Sequence, residues 1–250
     1  MKITRITSHV LGYDLPEPLG YSQQYYHKRT AHLVEVETDE GITGWGECFG
    51  AGNIALANKG IVEQVIQPMV LGMDPLDRDV IWHKVYNLMR DHGQKGMPLQ
   101  SLSGVDIALW DIKGKVLNTP IYNLLGGAVR DRVPLYTHVQ DFNSDKRDKK
   151  LLSGADKEVP LYQEFNSDAG RLESLAKAAK ETKKAGYDAI KTDPFPSSIN
   201  GYSGPSEVER LTPKLLRLSL EWMEVLRESV GDDYELLVDA HARFDVASAI

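Results

Sequence analysis

Polar and apolar residues alternate along Ala31-His-Leu-Val-Glu-Val-Glu-Thr38, a period of two that predicts a half-buried strand. Residues 2–12 alternate more weakly and stop at Gly12, which predicts a first strand. The turn Asp39-Glu-Gly41 leads into Ile42-Thr-Gly-Trp-Gly-Glu47 and closes a hairpin. Together these predict a three-stranded antiparallel meander, with Pro16 to Arg29 as a polar, aromatic loop between the first two strands. The period then lengthens. Val62, Val65, Ile66 and Met69, then Ile81, Val85, Leu88 and Met89, then Val105, Leu109, Ile112 and Val116 all fall at helical spacing. Pro68, Gly72, Pro120 and Gly126-Gly127 read as breaks. Strands followed by a run of helices predict an α+β domain over residues 1–128.

From residue 129 to residue 250 strands and helices alternate. Val133 to His138 reads as a strand, Leu172 to Ala185 as a helix ending at Gly186, and Tyr187 to Lys191 as the next strand. A second helix uses Leu216, Leu220, Met223, Leu226 and Val230 before Gly231. The short apolar run from Tyr234 to Asp239 predicts a fully buried third strand. Repeated βα units imply parallel strands with right-handed crossovers, the start of either a doubly wound sheet or a (β/α)8 barrel. Residues 143–171 interrupt the pattern: Val133-Pro-Leu-Tyr136 recurs as Val159-Pro-Leu-Tyr162, around a charged stretch that reads as an inserted surface loop.

Charge narrows the partners. Lysine and arginine number 29 against 36 acidic residues, a net charge of -7, which disfavours a nucleic-acid surface. Cys48 is the only cysteine, so no intrachain disulfide forms. Neither a signal-peptide block nor a run of membrane-spanning length is present, so a cytoplasmic protein is expected. Trp45 and Trp110 read as core residues.

The predicted strand ends carry the chemistry. His138 closes the first, Lys191 and Asp193 the second, Asp239 and His241 the third. In parallel α/β folds these ends share one rim, where active sites are built. Alternation along the third strand turns Asp239 and His241 the same way, which suggests a metal ligand beside a proton donor or acceptor. The plain alternative is an aspartate capping the next helix with a polar neighbour.

The chain resembles the N-terminal part of an enolase-superfamily protein of the mandelate-racemase-like group, and within it the acid-sugar dehydratases. The residues that carry this are Gly41-Ile-Thr-Gly-Trp-Gly-Glu47, Gly104-Val-Asp-Ile-Ala-Leu-Trp-Asp-Ile-Lys-Gly-Lys115, Pro120-Ile-Tyr-Asn-Leu-Leu-Gly-Gly127, Ala185-Gly-Tyr-Asp-Ala-Ile-Lys191 and Val238-Asp-Ala-His241. The resemblance implies an α+β capping domain followed by the start of a modified (β/α) barrel. It implies Mg2+ as cofactor, with Asp239 as the first of three acidic ligands, and His241 as the acid that protonates a departing β-hydroxyl. Many relatives carry Lys-x-Lys where this chain has Lys191-Thr-Asp193. That departure disfavours a two-base racemase, leaves Lys191 to contact a substrate carboxylate, and leaves Asp193 among the substrate-binding residues, either orienting Lys191 or standing behind it. Tyr25, Tyr26 and His27 correspond to a mobile capping loop that meets substrate, Cys48 to Gly52 to a second specificity loop, and His138 to a further substrate contact. The implied reaction is dehydration of an aldonate or aldarate to a 2-keto-3-deoxy acid through an enediolate. The alternatives are a racemase, epimerase or cycloisomerase of the same superfamily, and a non-catalytic binding protein. The resemblance also implies a homo-oligomer acting on a small sugar acid. The remaining strands, ligands and base are expected beyond Ile250, so the chain alone is expected to be inactive.

Overall fold

The computed structural model describes residues 1–21, 24–50, 52–93, 95–139, 168–195, 211–241 and 244–250, the side chains of 17–26, 168–171, 214 and 215 aside. Two compact units follow: Met1–Leu19 with Tyr26–Asp131, and Gly20–Tyr25 with Arg132–Ile250. The expected inserted loop at 143–171 falls almost wholly outside the described residues.

In the first unit β1 (Ile3–Tyr21), β2 (Gln24–Thr38) and β3 (Thr43–Cys48) form one sheet in that order. The loop expected over Pro16 to Arg29 is instead strand: β1 and β2 both run on to within two residues of each other. As the edge strand, β1 bonds a neighbour on one side only, so Pro16 and Pro18 need leave no ladder donor unmet. β2 and β3 are antiparallel, with His32 opposite Cys48 and Glu35 opposite Trp45. Alternation along β2 sends His32, Val34 and Val36 inward, all fully buried.

α4 (Met97–Val116) lies directly on β3. A methyl group on Gly46 would collide with the carbonyl oxygen of Gly104 and stand 2.8 Å from the Ala108 nitrogen, and one on Gly44 would meet the Ala108 carbonyl. Only glycine allows backbone to approach backbone this closely. Trp45, between them, therefore points outward: it is 43% exposed and rests against the His9 ring at 5.4 Å, rather than in the core. Trp110 is half-buried beneath the Arg78 guanidinium, 4.7 Å from its ring centre. Cys48 and Phe49 part company, Cys48 being buried in the core and Phe49 exposed.

The first helical segment begins earlier than its apolar spacing suggests. α1 (Ile54–Gly60), a π turn (Ile61–Ile66) and α2 (Gln67–Val70) follow one another without a gap, and Pro68 does not end the run. Val62, Ile66 and Val70 face the core, whereas Val65 is exposed. α3 (Arg78–Met89) adds Ile81, Val85 and Met89, and α5 (Ile121–Leu124) closes the unit. Each fully buried aliphatic side chain contributes about 1.5–3 kcal/mol relative to exposure.

The second unit holds β4 (Tyr136–His138), β5 (Ala189–Thr192) and β6 (Glu235–Val238), parallel and in that order. α6 (Asp168–Lys184) and α7 (Pro213–Val230) pack together, and the helical conformation gives way at Gly186 (φ +89) and Gly231 (φ +84). Leu175, Ala178, Ala179, Ile190, Leu226 and Val230 form the core. β6 is not the fully buried strand its apolar run predicts. Among the described strands β6 pairs with β5 alone, and in this chain, about half the length of its relatives, Leu237 and Val238 are 36% and 51% exposed. No helix among the described residues is long and apolar enough to cross a membrane. α8 (Val246–Ala249) ends the chain.

Candidate active site

Register assembles the rim of the second unit. His138 on β4 stands opposite Lys191 on β5, which in turn stands opposite Leu237 on β6. Asp239 and Asp193 lie two residues beyond Leu237 and Lys191, so the pleat returns both to the same face. The ladder extends one step past β6, since Asp239 donates its N–H to the Thr192 carbonyl at 2.9 Å. On the opposite face Thr192 is buried, and its hydroxyl accepts from Trp222 Nε1 at 2.8 Å. Ser219 Oγ donates to the Pro194 carbonyl at 2.9 Å. α7 thereby pins the end of β5 from behind.

Four side chains form a connected row. Lys191 Nζ donates to Asp239 Oδ2 at 3.0 Å. Asp239 Oδ1 accepts the backbone N–H of His241 at 3.0 Å. His241 Nδ1 lies 3.0 Å from Asp193 Oδ2, and Asp193 Oδ1 accepts the N–H of Phe195 at 3.2 Å. Each aspartate thus braces the backbone two residues on with one oxygen and meets a cationic or protonatable group with the other. Alternation along a strand is not what brings Asp239 and His241 together. β6 stops at Val238, and His241 adopts a left-handed conformation (φ +50) that the Asp239 carboxylate holds. Helix capping is not the task of Asp239 either: α8 is capped by Asp245, whose Oδ1 accepts from the Ser248 N–H at 2.7 Å.

Protonation follows from these partners. The hydrogen bond to Asp239 raises the Lys191 pKa, so the ammonium stays charged. The His241 N–H and then Lys191 hold the Asp239 carboxyl below its ordinary value. His138, although exposed as a residue, is lowered first by partial burial of its ring and then by the Lys191 charge, with Asp239 and Asp193 opposing. It is therefore a neutral imidazole near pH 7, able to donate and accept.

Of the residues the sequence singles out, the structure brings together His138, Lys191, Asp193, Asp239 and His241. His27 lies exposed on β2 in the first unit, and the side chains of Tyr25 and Tyr26 lie outside the described residues. Sequence reasoning passed over Tyr136, whose ring lies 5.5 Å from Lys191 Nζ, although it sits two residues before His138 on the same strand face. It also passed over Trp222, which stands four residues before Leu226 and eight before Val230, on the inward stripe of α7.

Magnesium takes hard oxygen donors in near-octahedral array. Asp239 fits that chemistry in kind. In number the rim falls short, because among the described residues no group of three or more His, Cys, Asp or Glu side chains is placed to hold a metal.

Residues 5–126 match the family model described as the mandelate racemase / muconate lactonizing enzyme N-terminal domain. A D-galactarolactone cycloisomerase of Agrobacterium fabrum is 33% identical over 250 residues, covering 100% of this chain and 54% of the relative. A D-gluconate dehydratase of Thermoproteus tenax is 30% identical over 237 residues, covering 94% of this chain and 40% of the relative. The chain thus spans about half the length of the curated relatives it matches. Among solved structures, an enolase-superfamily member from Polaromonas sp. JS666 superposes with a TM-score of 0.71 at 32% identity, over 100% of this chain and 54% of that one. Residues 5–126 thus form a mandelate racemase / muconate lactonizing enzyme N-terminal domain, and the chain shares the fold of enolase-superfamily structures.

Proposed function

We propose that the protein carrying these residues is a Mg2+-dependent sugar-acid dehydratase, converting an aldonate or aldarate to a 2-keto-3-deoxy acid. The observation that carries this is the row Lys191–Asp239–His241–Asp193 at the strand ends. Dehydration needs a cation for the substrate carboxylate and an acid for the leaving hydroxyl, and the row offers one of each. Lys191, kept charged by Asp239, suits the carboxylate and not the abstraction of a proton. The α-proton therefore goes to a base outside this row. His241 Nδ1 lies 3.0 Å from Asp193 Oδ2, which orients the ring with Nε2 toward substrate when the imidazole carries both protons. The proton on Nε2 then passes to the β-hydroxyl as the C–O bond breaks, water leaves, and a neutral ring still bonded to Asp193 remains. His138, neutral, hydrogen-bonds a substrate hydroxyl. Asp239 would hold the metal, which when bound supplies positive charge to match an enediolate. The same reading carries a cytoplasmic homo-oligomer whose partner is a small sugar acid, and neither nucleic acid nor membrane.

A second reading, a cycloisomerase, draws on the Agrobacterium relative of that name, which aligns with the whole chain. One screen separates the two. The complete natural polypeptide is incubated with Mg2+ and a panel of aldonates, aldarates and their lactones, and products are followed by mass. Loss of water with appearance of a 2-keto-3-deoxy acid, abolished in His241→Asn, is the expected result. An isomer of unchanged mass moves the assignment to cycloisomerisation, and no turnover on any member of the panel sinks both.

A further inference from the structure

Among the described residues, the buried side-chain polar atoms without a hydrogen-bond partner belong to three residues of the first unit: Ser8 Oγ, both ring nitrogens of His32, and Asn58 Oδ1. Ser8 is 4% exposed, His32 and Asn58 not at all. Their elements meet. His32 sits on the inner face of the sheet opposite Cys48, and Asn58 donates to the carbonyl of the next residue, Phe49, at 2.6 Å, and to Gln100 Oε1 at 3.2 Å. The backbone N–H of Ser8 donates to Glu63 Oε1 at 3.1 Å, and Lys59 Nζ lies 3.7 Å from that oxygen. Glu63 and Lys59 are also the charged groups whose fields reach His32. Glu63 belongs to the π turn, a distortion that recurs where a helix serves a local purpose.

Four dry, unpartnered polar atoms in one core would forfeit a large part of a domain's marginal stability. Their needs are complementary to one small molecule. A neutral imidazole requires an acceptor for one nitrogen and a donor for the other, the Asn58 oxygen requires a donor, and a serine hydroxyl takes either. Water, with two of each, meets such a set. Ions fit poorly: no three metal-binding side chains gather among the described residues, and Glu63 repels an anion.

We infer that His32, Ser8 and Asn58 line a buried hydration site between the inner face of the β1–β2–β3 sheet and the helix bearing Asn58 and Glu63, in which ordered water completes the hydrogen bonds of the imidazole. The ring tautomer is then set by water and not by a protein group.

A crystal structure of the unmodified chain, at a resolution that shows ordered water, tests this directly. Density within hydrogen-bond distance of a His32 nitrogen and of Asn58 Oδ1 or Ser8 Oγ is expected. A dry core, a ring bonded only to protein groups, or an ion in place of water overturns the site. In solution, oxygen-17 relaxation dispersion of water counts long-lived internal molecules. His32→Phe is expected to lose at least one relative to the unmodified chain, and an equal count overturns the inference. Where the phenylalanine variant does not fold, Ser8→Ala replaces it: a shortened water residence time is expected, and an unchanged one counts against the site.

Discussion

The two units cover their sheets to different extents. In the first, β2 buries every second residue from His32 to Thr38, a helix backbone lies on the glycines of β3, and sixteen apolar residues of the described set are buried in one cluster. In the second, the corresponding cluster has seven, only the central strand β5 is well buried, and β4 and β6 stay largely open. Yet the imidazole, the ammonium and both carboxylates of the candidate site lie on the second unit's sheet. Polar bonds hold them there: two aspartates bracing their own turns, the Lys191–Asp239 and His241–Asp193 pairs, and Trp222 anchoring Thr192. Among the described residues the first unit is held by close packing, and the rim of the second is held by hydrogen bonds. Stability and chemistry are accordingly separable by mutation.

The sharpest test of that separation is His241→Gln in the complete enzyme. Loss of a general acid lowers turnover by about 10²–10⁴-fold, with the thermal midpoint nearly unchanged; a large drop in midpoint would show that the rim, too, is part of a frame. Next come paired truncations. Leu109→Ala in the tightly covered core is expected to cost about 4 kcal/mol and Leu226→Ala in the second about 2 kcal/mol, because a sparser shell relaxes into the space. Hydrogen exchange read separately for the two units checks this, and equal costs would remove the contrast. Gly46→Ala tests the helix-on-strand contact: its methyl meets backbone that cannot swing aside, so about 3 kcal/mol is expected. Denaturant unfolding followed by far-ultraviolet circular dichroism measures it, and a neutral result would mean that α4 can lift.

The smallest effect is one of pH, confined to the first unit. His32 is held below its ordinary pKa by burial, with Glu63 opposing and Lys59 reinforcing. The unfolded chain then binds the proton more readily, so stability is full above about pH 6.5 and declines as the pH falls below it. His32→Phe should flatten that slope in protection factors of β2 amides between neutral and mildly acid pH. A slope that persists would assign it to other groups.

Much of this was legible from residues alone, because periodicity is a local property. The alternation of residues 31–38 yielded β2, the spacing of Val105, Leu109 and Ile112 yielded α4, and Gly186 and Gly231 stand where α6 and α7 give way. The strand ends bearing His138, Lys191, Asp193, Asp239 and His241 could be named for the same reason. Period says nothing of how many neighbours a strand finds. Trp45 read as core and faces out because glycines beside it take the helix. Proline signalled a loop where an edge strand tolerates it. Sequence therefore determined which residue types reach the rim and the period that delivers them. Tertiary structure alone decided that Lys191 meets Asp239, that His241 reaches Asp193 through a left-handed turn, and that His32 is buried without a protein partner. Those outcomes depend on register and covering between segments distant in the chain, and no local pattern encodes them.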